Sequence, residues 1–305
     1  MRNWSKIMVL SILMASLLVT ITGCGSALRE RNNKKPPPKT KAVPLAEQVK
    51  ATGHYRFFKD MIEQEKYPPE RADSCIKCHS AVRIMDDPKA KFTDFQPGGK
   101  YEKALEGITC RVCHVMGGDN MFSLRTKGLD SCGECHTAEG ITAGEEVHHP
   151  QLEMLKGVEG IGVEDKPSRK MNQKFTCYEC HFTNQLDHDF KALTATGIAS
   201  NERCSGCHNN SEKMEEQLKN LQNGIKARLE TLKTRLEEAQ NAVRKAKESG
   251  EDVTEAEKAL GAALTNITFV DADKSLGIHN PEYSDSLLQA GAERLEEVGT
   301  LLGHE

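Results

Sequence analysis

The chain has 305 residues, enough for one to three domains, and a formal net charge of −4 at pH 7. Only 37% of the residues are hydrophobic and 5% aromatic, a composition that fits a core not built from side chains alone. The mild acidity argues against nucleic acid as a partner, because phosphate binding needs a basic face.

Residues 1–23 are predicted to be a secretory signal peptide. Arg2 and Lys6 give it a positive start, and the apolar stretch at 7–21 is too short to span a membrane comfortably. The four residues that end at Cys24 resemble a bacterial lipobox, in which the Cys receives a diacylglycerol and becomes the mature N-terminus. A cleaved signal that leaves a spare thiol is the alternative. Removal of Arg2 and Lys6 with the leader moves the formal charge from −4 to −6.

Residues 24–43 are predicted to be a lipid-anchored tether. The segment is rich in Lys and Arg and contains three consecutive prolines at 36–38, so it should be extended and solvated. Its charge can lie against anionic lipid, but a plain solvated spacer is the favoured interpretation. Residues 44–66 follow as a predicted helix with an apolar stripe, on or near which His54 lies.

Five copies of the pattern Cys-x-x-Cys-His lie between residues 75 and 208. This is the attachment signature of c-type haem, in which two thiols bind the porphyrin and the His binds the iron from the proximal side. A zinc site also uses Cys-x-x-Cys, but it needs no His directly after each pair. Five c-type haems are therefore predicted for a domain at 44–210. They would be attached through Cys75, Cys78, Cys110, Cys113, Cys132, Cys135, Cys177, Cys180, Cys204 and Cys207 and bound by His79, His114, His136, His181 and His208.

Six further histidines can supply distal ligands: His54, His148, His149, His188, His279 and His304. His304 lies next to the C-terminus, where chains often fray, so the other five are the predicted distal ligands. The adjacent His148 and His149 are expected to serve two neighbouring haems. Methionine ligation would raise the potential, but the histidine supply is sufficient, and the methionines near the motifs are interpreted as haem packing. Mainly bis-histidine ligation implies low potentials and no open site for chemistry.

Residues 211–305 are predicted to be helical. Apolar residues recur at three- and four-residue steps from 211 to 246 and again from 253 to 267. The link at Ser249 and Gly250 should fold the second helix back antiparallel to the first. The apolar seam predicts either a self-contained hairpin or a coiled-coil contact with a second copy. Pro281 begins a third, returning helix, with the ligand His279 just before it.

The segment around His279, Asn280 and Pro281 resembles the C-terminal ligand region of a multihaem cytochrome family. That family includes pentahaem ammonia-forming nitrite reductases and octahaem hydroxylamine oxidoreductases, and Gly107, Ile108 and Thr109 before the second motif fit the same group. The resemblance implies a mainly α fold with little regular structure between the motifs, close haem pairs, long antiparallel C-terminal helices and often dimers through them. The typical nitrite reductase has Lys in its catalytic motif, whereas all five motifs here end in His, so no catalytic residue is carried over.

These observations favour an electron carrier over an enzyme. The expected partners are redox proteins or an extracellular acceptor, with the membrane reached through the N-terminal lipid. The expected location is the cell envelope, with the outer membrane favoured. One alternative is a reductase of nitrite, hydroxylamine or another small oxyanion at one five-coordinate haem. The other is a structural electron-conduit subunit, either in a membrane complex or in a filament.

Overall fold

The protein is described by a computed structural model that covers residues 43–64, 68–116, 123–138, 140–168, 175–182 and 187–303. The predicted signal peptide, nearly all of the tether and His304 lie outside these residues. The described residues form helices and connecting loops, without a strand, and this confirms the mainly α fold. The helices are α1 (Leu45–Lys50), α2 (Gly53–Glu63), α3 (Pro69–His79), α4 (Ala81–Met85), α5 (Cys110–Cys113), α6 (Asp130–Gly133), α7 (Gln151–Lys156), α8 (Tyr178–His181), α9 (Ala195–Ala199), α10 (Glu202–Ser205), α11 (Ser211–Glu248), α12 (Thr254–Asp273) and α13 (Pro281–Leu301).

The single helix predicted at 44–66 is wrong in its continuity, because the chain breaks between α1 and α2. Thr52 ends the first helix by donating hydrogen bonds from its backbone N–H and its hydroxyl to the carbonyl of Val49. A threonine that bonds its own backbone in this way competes with the helical ladder. Gly53 then begins α2 from an extended residue 52. Because of this break, the direction of α2, which carries His54, does not follow that of α1.

A small apolar core forms around α2 and α3. Phe58, Met61 and Ile76 are buried in it together with Phe92 and Phe95. Side chains of this size stabilise a fold by about 1.5–3 kcal/mol each when fully buried. This core holds α3 against α2 and so fixes the first Cys-x-x-Cys-His motif, which ends α3, relative to His54.

The three C-terminal helices are long, as predicted, and they pack on one another. The salt bridges Lys233–Asp271 at 2.8 Å and Lys247–Glu257 at 2.7 Å place α11 and α12 antiparallel. The seam of α11 is buried against α12 and α13 of the same chain through Ile225, Leu229, Leu232, Leu236 and Val243. Since this chain covers the seam itself, the structure favours the self-contained arrangement for these residues.

The second helix extends beyond its predicted end at Ile267 and reaches Asp273. Its outer side holds a loop in place, because the side chain of Asn266 bonds both the N–H and the carbonyl of Ile161, at 2.9 and 3.0 Å. The third helix begins at Pro281, as predicted, and the side chain of Asn280 caps it. No helix among the described residues combines the length and apolar character needed to cross a membrane.

Candidate haem-binding site

Each motif lies on a helical turn. In the second to fifth motifs the N–H of the histidine donates to the carbonyl of the first cysteine, at 2.8 to 3.0 Å. The first motif forms the last turns of α3. Residues three and four positions apart lie on one face of a helix, so this turn presents both thiols and the imidazole on the same side. That shared face is what attachment to one porphyrin requires.

The third motif lies at the centre of the others. The thiols of Cys135 and Cys78 are hydrogen-bonded, which joins the third motif to the first. Cys132 is hydrogen-bonded to Cys177 of the fourth motif. The sequence did not indicate either neighbour, because 57 residues separate Cys78 from Cys135 and 45 separate Cys132 from Cys177.

Four of the five proximal histidines each face a histidine from a distant part of the chain. In the pair formed by His54 and His136, the two Nε2 atoms are 3.5 Å apart. The distances between ring centroids are 5.8 Å for His54–His136, 5.7 Å for His79–His149, 6.1 Å for His114–His188 and 6.2 Å for His181–His279.

These pairs fit the group that the motifs imply. Two imidazoles that bind one metal ion from opposite sides, with metal–nitrogen bonds of about 2 Å, hold their ring centroids roughly 6 Å apart. The Nδ1 atom of His188 is buried and lacks a hydrogen-bond partner among the described residues, so the ring is not held by a hydrogen bond at that nitrogen. The four pairs therefore have the spacing needed to hold haem. The free thiols beside them have the chemistry needed to attach it.

The adjacent histidines lie close to the first and the third motifs. His148, His149 and His79 have ligand atoms within 4.8 Å of one another. His148 is exposed, whereas His149 is half-buried and its ring also contacts His136 at 5.4 Å. The backbone of His149 has φ 56°, a conformation that is uncommon outside glycine and often found at functional sites. The geometry favours His149 as the partner of His79.

The fifth motif differs from the other four. His208 and Cys207 are exposed, and within the described part of the chain no histidine ring is paired with His208. Leu302, near the chain's C-terminal end, packs with Val243 and Ala246 at the far end of α11. The motif precedes the start of α11, and a 38-residue helix spans about 57 Å. That end of the bundle is therefore remote from the fifth motif.

Electrostatics keep three of the paired imidazoles, those of His54, His79 and His149, neutral. Burial, with the neighbouring His136, lowers the pKa of His54 to about 4. Burial, with the adjacent His148, likewise lowers the pKa of His79 and the pKa of His149 to about 4. A metal ligand must be a neutral imidazole with a free lone pair, so these rings are in the form that binds iron at neutral pH.

His279 is the exception. Burial would lower the pKa of His279, but the charge and hydrogen bond of Asp273 outweigh it and raise the pKa above its usual value. The Nδ1 atom of His279 lies 2.5 Å from Oδ1 of Asp273. A carboxylate on one ring nitrogen fixes the tautomer and leaves Nε2 for a metal. No pattern in the sequence indicated Asp273, because its link to a ligand depends on the loop at 274–278.

Phe190 is a second residue that sequence reasoning missed. Its ring lies 4.6 Å from that of His54 and 6.1 Å from that of His188. Its carbonyl accepts a hydrogen bond from His181. With φ 56° the backbone turns sharply at this residue, so one side chain and one carbonyl contact histidines of three pairs. An aromatic residue two positions after a predicted ligand was the available signal.

Comparisons with known proteins agree with this site. The family model of cytochrome c552 matches residues 176–303, and that of cytochrome c554 and c-prime matches residues 131–209. The crystal structure of the outer cell wall cytochrome OcwA is 30% identical, with a TM-score of 0.64 over 82% of this chain and 50% of that one. The chain thus spans about half the length of OcwA. No curated protein sequence matches the chain.

Two further structures share the fold at lower identity. An undecahaem cytochrome from the S-layer of Carboxydothermus ferrireducens is 24% identical, with a TM-score of 0.52 over 80% of this chain and 40% of that one. The catalytic subunit of cytochrome c nitrite reductase from Desulfovibrio desulfuricans is 14% identical, with a TM-score of 0.56 over 89% and 78%.

The fold, the motifs and these similarities define a class: the chain is a multihaem c-type cytochrome. Within that class its fold resembles that of cytochrome c nitrite reductase, and this confirms the resemblance to the nitrite reductases found in the sequence.

Proposed function

We propose that the chain transfers electrons through five covalently attached c-type haems, most of them held between two histidines. The four facing histidine pairs carry this proposal, because their spacing suits one iron between two rings. Bound haem iron supplies one-electron chemistry, with a potential set by its axial ligands and surroundings. Two histidines that hold each iron would leave no place for a substrate, an arrangement that suits electron transfer better than substrate binding.

The protein's own part is to hold the ligands rigid, neutral and close together. The contact between His149 and His136 brings a ligand of the first motif against a ligand of the third. The neighbouring positions of Cys132 and Cys177 place the third motif beside the fourth. These contacts place the third motif as a junction between the first and the fourth.

Two measurements test this proposal. Intact mass spectrometry of the mature protein should find five attached haems. The electron paramagnetic resonance (EPR) spectrum of the oxidised protein should be dominated by low-spin signals that nitrite and hydroxylamine leave unchanged. Fewer than five haems, or mainly high-spin iron, would refute bis-histidine electron transfer as stated.

A cell-envelope location is part of the same proposal. It is supported by the signal-like residues 1–23, by the lipobox that ends at Cys24, and by similar structures named for the outer cell wall and the S-layer. The partners are then redox proteins or an extracellular acceptor, and a second copy can dock through outer faces of the C-terminal helices. Metabolic labelling with radioactive palmitate should mark the protein and not the Cys24→Ser variant. Labelling of both would refute the anchor.

The exposed fifth motif favours one second candidate, a reductase of small oxyanions. Because no described histidine faces His208, the iron at that motif can have a free axial position. The oxidised protein should then show a ligand-sensitive high-spin signal that accounts for one iron in five, and the protein supplied with an excess of chemical reductant should consume nitrite steadily. Absence of that signal removes this candidate and leaves the carrier.

A further inference from the structure

The C-terminal end of α12 is linked to ligands of two different motifs, to one directly and to the other through Gln151. The side chain of Asp273, the last residue of the helix, reaches His279, the partner of His181 in the fourth motif. The side chain of Gln151 donates from Nε2 to the carbonyls of Ala272 and Asp273, at 3.1 and 3.3 Å. Its Oε1 lies 3.1 Å from Nδ1 of His136 in the third motif.

Asp273 is arranged to act as an anion. Its side chain is buried, and it accepts hydrogen bonds from the N–H and the hydroxyl of Ser275 and from the ring of His279. Three donors converge on its two oxygens, and an ionised carboxylate is the form that only accepts. The backbone N–H of His279 in turn donates to the Ser275 hydroxyl at 3.2 Å.

The loop that follows holds this geometry in place. Lys274, Leu276 and Gly277 all have positive φ angles, of 61°, 53° and 88°. A Cβ on Gly277 would lie 3.1 Å from Ile225 of α11, so the loop is packed directly on the bundle. Two non-glycine residues in this conformation store strain that the surroundings must offset. The carboxylate and the imidazole are therefore held together by the fold.

Gln151 gives the other ligand a different partner. Because its Nε2 must donate to two carbonyls, its oxygen is the atom that faces His136, and the amide orientation follows from the network. The ring of His136 therefore donates to a neutral oxygen, whereas the ring of His279 donates to a carboxylate. A carboxylate makes an imidazole the more basic ligand, and its nearby negative charge favours the more positive ferric iron.

We propose that Asp273 is a positioning residue that lowers the reduction potential of the iron at the fourth motif below that of the iron at the third. The inference rests on the proposed histidine pairing. Gln151 places no charge on the ring of His136, so the difference favours electron movement from the fourth motif to the third.

The test is a potentiometric titration of the full-length holoprotein followed by EPR. The fourth iron is identified as the low-spin signal lost in His279→Ala, and the third as the signal lost in His54→Ala. If neither variant loses a signal, the histidine pairing itself fails, which is a separate outcome. In the wild type we expect the fourth signal to titrate at the lower potential. The opposite order would overturn the proposal.

Asp273→Asn keeps the shape of the side chain but removes the charge. It should raise the midpoint potential of the His279-dependent signal and leave the midpoint potential of the His54-dependent signal unchanged. Asp271→Asn is the matched control, since it removes a charge from the same helix end where the carboxylate pairs with Lys233 and Lys274. No shift in Asp273→Asn, or an equal shift in the control, would overturn the proposal.

A second variant tests the sign if Asp273→Asn does not fold. Ser275→Ala removes the hydroxyl donor to Asp273 and leaves more of the carboxylate charge for His279. The midpoint of the fourth signal should then fall, opposite to the effect of Asp273→Asn. A rise or no change would count against Asp273 as the residue that sets this potential.

Discussion

The N–H of Ile108 donates a 2.8 Å hydrogen bond to the carbonyl of His54. This bond ties the segment before the second motif to the helix that carries a predicted ligand of the third. Gly107 makes the approach feasible, because a Cβ there would lie 2.3 Å from the carbonyl oxygen of Tyr55. Backbone atoms cannot move aside as a flexible side chain does, so the position requires glycine.

We therefore expect Gly107→Ala to push α2 away and to move His54 out of its position opposite His136. The strain should cost about 1–3 kcal/mol of stability, and part of the low-spin EPR signal should become high-spin. Gly224→Ala is the control, because Gly224 lies exposed within α11 with nothing within 4 Å of a Cβ. That control should gain about 0.5–1 kcal/mol. Unchanged spectra in Gly107→Ala would contradict the role given to this glycine.

The two adjacent histidines provide a direct comparison. We expect His149→Ala to convert one low-spin iron to high-spin, because His149 is the half-buried ring that faces His79. We expect His148→Ala to leave the spectrum close to that of the wild type, because His148 is exposed. The EPR spectra of the two variants decide which histidine is the ligand. The reverse result would assign that role to His148.

Asn266 should be a stability determinant of the bundle. It is buried and bonds both backbone groups of Ile161. Asn266→Leu leaves a buried N–H and a buried carbonyl unpaired, and each should cost about 1–3 kcal/mol. Urea unfolding should show a lower midpoint with an unchanged slope. Asn223→Leu, on an exposed position of α11, is the matched change, and an equal loss there would argue against the loop contact.

Because of Tyr283, the stability of the C-terminal helices should decrease at alkaline pH. Burial raises the pKa of Tyr283 to about 12, whereas a tyrosine in an unfolded chain has a pKa of about 10. The unfolded chain therefore releases its proton first, so this contribution to stability is complete below about pH 10 and is lost as the pH approaches 12.

Urea unfolding across that range measures the effect. Tyr283→Phe should remove this part of the alkaline decline, while at neutral pH it costs about 1–3 kcal/mol, because the N–H of Gly160 loses its 2.6 Å acceptor. Tyr55→Phe serves as the comparison. An alkaline decline of the same size in Tyr283→Phe and the wild type would place its origin elsewhere.

Local pattern was enough to predict the three C-terminal helices and the start of the third at Pro281. Helical periodicity and proline position are properties of neighbouring residues, and here packing did not override them. The break between α1 and α2 escaped prediction because it depends on one threonine bonding its own backbone. The end of α12 at Asp273 was also missed, although Phe269 and Val270 continue the apolar pattern beyond Ile267 and are buried.

The same division applies to the candidate site. The motifs and the five spare histidines could be recognised from spacing and count. Which histidine faces which depends on chain segments 70 to 98 residues apart, and the bonds from Gln151 to Ala272 and Asp273 join segments more than 100 residues apart; only the fold brings these together. Such contacts leave no periodic trace, so no local pattern could have indicated them.

The place of His279 in the chain has a consequence for how the protein is made. His54 leaves the ribosome before any attachment motif, whereas His279 follows all five motifs and two long helices. Under the proposed pairing, the fourth iron is the last to receive its second imidazole. A chain cut short within α11 or α12 would still carry every attachment cysteine. It would take up its full complement of haem and yet contain one iron that is open to oxygen, a damaged product that its colour alone would not reveal.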